Sequence, residues 1–191
     1  MPLSAHCIWR QTACFVVAAV LAISASMGRA QSAEYQQKAA VIMGIVRATE
    51  WPASKLKADA PIVIGVYGSE IAADKLREST AGRLLRGRTV VVKLLTATQE
   101  IEGCHVVFAS ISDDAMTRKI LSQTKGDPIL TFGETAEFTK KGGIFLLQSA
   151  SAQAGALALR TFVEGDNLKR SKLKIDEEAL ISARVQPVPK R

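Results

Sequence analysis

The chain has 191 residues, 48% hydrophobic and 23% charged, with a formal net charge of +7. That is enough apolar material for one domain with its own core. Two Trp, two Tyr and six Phe, with no visible stacking platform, argue against nucleic-acid binding despite the positive charge.

The first thirty residues read as an export signal. Arg10 supplies a positive start, 12–26 (TACFVVAAVLAISAS) is an uncharged apolar core, and Gly28-Arg29-Ala30 presents small residues to a signal peptidase. Cleavage is expected after Ala30. The core is shorter than the roughly 20 residues of a spanning helix, so the mature chain, about Gln31–Arg191, is expected to be soluble and outside the cytoplasm. Cys7 and Cys14 leave with the signal, and neither sits in a lipobox. Cys104 alone remains, so no intramolecular disulfide is open to the mature chain. Its place in an apolar run reads as a buried small hydrophobe.

Residues 33–48 (AEYQQKAAVIMGIVRA) place Tyr35, Ala39, Ile42, Met43 and Val46 on one helical face. Trp51-Pro52 ends that helix. Residues 62–67 (IVIGVY) predict a strand buried on both faces. A helix over 70–80 follows, capped by Ser69. Strand two is 88–95, 97–101 is a short helix or turn, and strand three is 104–109. A helix over 110–124 is expected with Ser112 as its cap. Strand four is 128–132, a short helix covers 134–140 and ends at Gly142-Gly143, and strand five is 143–148. Residues 149–155 (SASAQAG) read as a turn, 156–163 as a sixth strand, and 166–173 and 176–184 as helices capped by Asp166 and Asp176. Alternating strands and helices over 62–148 predict an α/β fold. It has a mostly parallel sheet of about six strands, a flavodoxin-like core flanked by helices, and an antiparallel strand and helices at the C-terminus. One domain is expected over 31–185, with 186–191 frayed.

The chemistry is sparse. His105 is the only histidine after cleavage, and adjacent strand residues point to opposite faces, which separates Cys104 from His105 as a metal or nucleophile pair. Gly65-Val66-Tyr67-Gly68-Ser69 ends a strand before a helix but lacks a nucleotide-binding fingerprint. Asp113-Asp114, and likewise Glu134 and Glu137, read as helix-dipole partners. No catalytic residue, cofactor or metal is assigned. The basic stretches 83–88 (RLLRGR) and 169–174 (KRSKLK) suit either an acidic partner, anionic lipid or simple solvation. Trp51 reads as a core plug or a binding anchor. Phe162, Ile175 and Leu180 either line a groove beside the sixth strand or pack the tail onto the sheet.

The ordered series Glu34-Tyr35, Lys38-Ala39-Ala40, Glu50-Trp51-Pro52, Ile64–Gly68, Gly103-Cys104-His105-Val106-Val107-Phe108 and Gly142-Gly143-Ile144 resembles the YfiR family of exported bacterial proteins. The resemblance covers about 34–185. It implies a non-enzymatic periplasmic regulator that docks on the periplasmic part of an inner-membrane signalling protein, a diguanylate cyclase or sensor kinase. It also implies repression of cyclic-di-GMP synthesis and biofilm, an outer-membrane lipoprotein as a second partner, and a homodimer. The chain departs from the family in keeping only one cysteine, so a redox switch through intramolecular bridges does not carry over. Its partner-binding candidates are Trp51, Phe162, Arg170, Lys172, Ile175 and Leu180. The alternative is a periplasmic small-molecule-binding or enzymatic domain with its site at the carboxyl strand ends, near Gly68, Ser110 and Asp113.

Overall fold

The computed structural model describes residues 28–151 and 157–189. The expected signal core and the centre of the 149–155 turn lie outside the described residues. The chain divides into two compact units, Met1–Ala33 and Glu34–Arg191. Helix α1 is described over 28–48, and every later element belongs to the second unit.

That unit is a mixed α/β fold with a mostly parallel sheet. In chain order its elements are β1 (Thr49–Glu50), β2 (Ile62–Tyr67), α2 (Glu70–Thr80), β3 (Val90–Leu95), a 3-10 helix (Thr98–Gly103), β4 (Val106–Ala109), α3 (Asp114–Thr124), β5 (Leu130–Gly133) and α4 (Ala136–Lys140). They continue with β6 (Phe145–Ser151), β7 (Leu157–Val163), α5 (Gly165–Arg170), β8 (Lys174–Ile175), α6 (Glu177–Ser182) and β9 (Val185–Pro187). Seven strands form one sheet in the order β3-β2-β4-β5-β6-β7-β9. Only the β6–β7 pair is antiparallel in it. β1 and β8 form a separate antiparallel pair.

Alternation along each strand sorts the core into two layers. Ile62, Ile64, Val66, Val106 and Phe108 face α1 and α2, where Ile42, Ile45, Val46, Ala73 and Leu76 are buried with them. Val107 and Ala109 face the opposite way, onto Ile101, Ile120, Leu121 and Phe138. The near-continuous apolar strands follow from this cover on both faces.

The predicted caps hold in part. Ser69 accepts from the Ala72 amide and Asp176 from the Glu178 amide. The cap of α3 is Asp113, which accepts from Met116 N at 2.7 Å, and not Ser112, which lies one residue too early. Asp166 falls inside the first turn of α5, whose cap position is Glu164. The amides of Gly142 and Gly143 close α4 onto the carbonyls of Thr139 and Phe138, with Gly142 at φ +111°, as the C-cap reading requires.

The tail differs most from expectation. Residues 149–151 continue β6, with Ser149 opposite Leu159 and Ser151 opposite Leu157. The helix expected over 166–173 stops at Arg170, because Lys172 turns to φ +59° and Lys174–Ile175 extend to pair with Glu50 and Thr49. The fraying expected from Gln186 is replaced at its start by β9, where Gln186 and Pro187 lie opposite Phe162 and Val163.

Candidate functional site

Open parallel sheets bind ligands at the carboxyl ends of their strands, where neighbouring strands diverge in connection. Here that switch lies between β2 and β4, beside Gly68 and Ser110. The chain fills it with its own side chains. Tyr35 and Lys38, on the first turns of α1 within the compact unit, reach over this edge. The Tyr35 hydroxyl lies 2.7 Å from Ser110 Oγ, which donates to Glu134 Oε2 at 2.9 Å. Lys38 Nζ lies 2.5 Å from Glu34 Oε1 and 2.6 Å from Glu134 Oε1, and Ser149 Oγ donates to Glu34 at 2.6 Å.

This network is built to stay ionised. Burial pushes the Glu34 carboxyl up, but the bonds from Lys38 and Ser149 and the Lys38 charge prevail, and its pKa falls below the ordinary 4.5. Burial alone would lower the Lys38 pKa; its two carboxylate partners outweigh that and raise it above 10.5. Glu134 is thus a ligand of Lys38 and Ser110, not the simple dipole partner the sequence suggested. Gly68 is closed as well: at φ +93°, a Cβ there would stand 2.1 Å from Ile111 Cγ2 and 2.6 Å from the Ser110 carbonyl oxygen. Asp113 is committed to its cap, and Asp114 to Arg118 at 2.8 Å and to Lys141. Among the described residues no cluster of His, Cys, Asp and Glu is placed to hold a metal.

The motif residues gather at the opposite, amino edge. His105 precedes β4, and its carbonyl accepts from Leu130 N at 2.9 Å and from Trp51 Nε1 at 3.2 Å. The two rings meet edge to face, with centroids 6.3 Å apart. His105 Nδ1 accepts from Val63 N at 3.0 Å, so the proton resides on Nε2, which faces the Lys55 carbonyl oxygen at 3.3 Å. Burial lowers the His105 pKa below 6.5, and the charges of Lys55 and Arg88 add to this against the Lys55 carbonyl. His105 is a neutral strut joining β2, β4 and the Trp51–Ala60 loop.

The other motif residues also build. Pro52 O accepts the amides of Lys55 and Leu56, and Glu50 reaches Arg86 at 3.4 Å. Gly103 ends the 3-10 helix. Cys104 is fully buried, and burial raises its thiol pKa. Gly143 lets the Phe138 ring pass, since a Cβ there would stand 2.1 Å from it.

The tail candidates divide by exposure. Trp51, Ile175 and Leu180 are half-buried against the core. Phe162 is half-buried within β7, and β9 pairs along the β7 edge, one of the two places considered for it. Arg170 and Lys172 are exposed. The sequence reading missed the Glu34–Lys38–Glu134 network, although the four-residue spacing of Glu34 and Lys38 is a visible pairing signal.

The fold and its closed crevice define an α/β domain whose own polar residues occupy the customary ligand position. The YfiR/HmsC-like family model matches residues 35–184, and the chain belongs to that family. No protein of curated function matches it. Among solved structures it is similar to a conserved domain protein from Vibrio cholerae O1 biovar El Tor, 17% identical, with a TM-score of 0.53 over 80% of this chain and 60% of that one. That likeness bears on fold alone. The ABC domain in complex with L-Trp from Streptococcus pneumoniae is 13% identical, with a TM-score of 0.49 over the same shares, too low to bear on this chain. The chain therefore spans 60% of the length of the solved chains it matches.

Proposed function

We propose that this chain is a non-enzymatic periplasmic regulator. In this reading it docks on the periplasmic part of an inner-membrane signalling protein and represses a diguanylate cyclase, limiting cyclic-di-GMP and biofilm. Membership of the YfiR/HmsC-like family across 35–184 carries the reading. The filled crevice supports it, because a catalytic or ligand-gated role at that edge must first displace Lys38 and Tyr35 from their partners. The export features of residues 1–30 agree with a periplasmic address. An outer-membrane lipoprotein that sequesters the regulator, and a homodimer, belong to the same reading.

The docking face is the exposed side of the tail. Arg170, Lys172 and Lys174 are exposed there, and Ile181 on α6 is 75% exposed. Exposed cations and an exposed apolar side chain on one tail suit an acidic partner surface with an apolar part. In this reading Trp51, Phe162, Ile175 and Leu180, which are half-buried, contribute through packing rather than direct contact.

The experiment compares cyclic-di-GMP and crosslinked partners in cells carrying the wild-type chain, a deletion, or Lys172→Glu/Lys174→Glu. The expected result is recovery of a membrane protein bearing a cyclase domain, with raised cyclic-di-GMP in the deletion and the charge-reversed variant. Unchanged cyclic-di-GMP in the deletion and on overexpression would overturn the cyclase assignment.

A further inference from the structure

A cavity of about 720 Å³ opens at the amino edge of β5 and β6, between the C-terminal ends of α3 and α4 and helix α5. Its volume lies in the range of small-molecule sites, roughly 300–1,000 Å³. It is distinct from the filled crevice at the opposite edge. Five cationic side chains line it, Arg118, Lys125, Lys140, Lys141 and Arg170, against one acid, Asp127.

Three of the cations are partly neutralised. Lys140 pairs with Glu137 at 2.6 Å, and Arg118 and Lys141 share Asp114. Among the described residues, Lys125 and Arg170 form no ion pair with a carboxylate. Helix C-termini attract cations through their free carbonyls, but part of that demand is met by other groups here. Asn167 Nδ2 donates to the carbonyls of Thr139 at 2.7 Å and Gly143 at 2.6 Å. The Asp127 amide takes Thr124 O, and the Ser171 amide takes Asn167 O and Leu168 O. The positive charge therefore exceeds what capping uses.

The cavity wall is also ordered. Asn167 and Ser171 are 6% and 7% exposed, and Thr131 is 2% exposed. Asn167 Oδ1 accepts one N–H of Arg170, which fixes the guanidinium at the rim and leaves its other donors free. A fixed guanidinium fork matches carboxylate and phosphate oxygens.

We propose that this cavity binds a small polyanion, a di- or tricarboxylate or a phosphate ester, with Arg170 and Lys125 as its principal contacts. Such a ligand relieves the repulsion among the lining cations and occupies a surface next to α5, whose C-terminal residues lead into the docking face. The site stands on its own geometry and does not require the docking partner to be known.

The test measures binding of citrate, pyrophosphate and inorganic phosphate to the protein purified from cells, by calorimetry and thermal shift. Sodium chloride at matched ionic strength is the reference. Saturable binding and a thermal shift beyond the chloride reference are expected. Lys125→Ala/Arg170→Ala should weaken binding at least roughly tenfold, the scale of losing charge-assisted hydrogen bonds. Removing two exposed remote charges, Lys57→Ala/Lys93→Ala, should leave affinity within about twofold, as expected of screened surface charges. Arg170→Lys keeps the charge without the fork and should fall between wild type and Arg170→Ala. Lys125 and Arg170 are exposed, so the fold tolerates these changes, and circular dichroism checks it. A response to citrate alone marks a carboxylate ligand; a response to the phosphates alone marks a phosphoryl ligand. No saturable binding by any probe, or equal affinity in wild type and the double variant, overturns the proposal.

Discussion

Lys38→Met tests whether the network at the carboxyl edge holds α1 to the sheet. The Lys38 side chain is 5% exposed, and its carboxylate partners Glu34 and Glu134 are 27% and 20% exposed. Removing the ammonium leaves two carboxylates that both bonded one nitrogen, so their oxygens can be no more than about 5 Å apart. At an effective dielectric near 20 their repulsion is about 3 kcal/mol. With the lost hydrogen bonds, the total loss falls in the range of roughly 3–5 kcal/mol found when a buried pair loses one partner. For a domain of this size that lowers Tm by roughly 6–20 °C. Thermal unfolding by circular dichroism at pH 7 and pH 5 gives the answer. The pH response between 7 and 5 should also differ. In the wild type the Glu34 pKa lies below 4.5, so its contribution is full above 4.5 and is lost as pH falls through the lower folded value. Lys38, raised above 10.5, contributes fully below 10.5 and loses that contribution only as pH rises through its folded value. In Lys38→Met, Glu34 loses the bond and the charge of Lys38 that lowered its pKa and keeps the burial that raises it, so acidification from pH 7 towards 5 should stabilise the variant relative to the wild type. The Lys75–Glu78 surface pair is the comparison, worth under about 1 kcal/mol. A loss for Lys38→Met no larger than for Lys75→Met, with no stabilisation of the variant relative to the wild type on acidification, would refute the reasoning.

Proton NMR should give His105 a pKa below 6.5. Because the folded value is lowered, stability should be full above 6.5 and decline as pH falls from 6.5 towards the folded value; a titration at or above 6.5 contradicts the strut. Gly143→Ala should cost roughly 1–3 kcal/mol through overpacking on Phe138. Phe138→Leu should recover part of that in a double-mutant cycle, whereas additive losses would disprove the contact. Cys104 should resist a thiol reagent in the native protein and react on denaturation; rapid native reaction would place the thiol at the surface.

The central fold was legible because local signals agreed with burial. The apolar run 62–67 and the Ser69-capped helix 70–80 match β2 and α2 residue for residue. Elsewhere a polar residue could play two parts. Ser112 and Asp113 both suit a cap, and only backbone direction chose the aspartate. The tail was least legible because long-range pairing decides it. Lys174–Ile175 carry no strand period, yet they extend because Thr49 and Glu50 lie opposite them. The short β9 has its partner in β7, more than twenty residues earlier. For the candidate site, Glu34 and Lys38 were readable as a helical pair. Their bond to Glu134 was not, because it joins positions 96 residues apart.

The residues that reveal the family are poorly suited to reveal the partner. Trp51 and His105 brace the amino edge, Gly143 admits Phe138, and Cys104 fills the core. Each is fixed by packing inside the chain, so any partner meets the same scaffold. Specificity must come from groups that the scaffold leaves free. Among the described residues these include the exposed Lys172, Lys174 and Ile181, and the unpaired charges of Lys125 and Arg170 at the cavity. α5 is tied to the scaffold by Asn167, whose amide bonds α4 and the start of β6 while its oxygen holds Arg170. Asn167→Leu should therefore disturb anion binding and docking together, removing the side-chain bonds to Thr139 O and Gly143 O and leaving Arg170 unguided. Charge changes at Lys125 or at Lys172 should separate the two functions, whereas Arg170 belongs to both surfaces. If Asn167→Leu alters neither while the protein stays folded, the two surfaces do not depend on this connection.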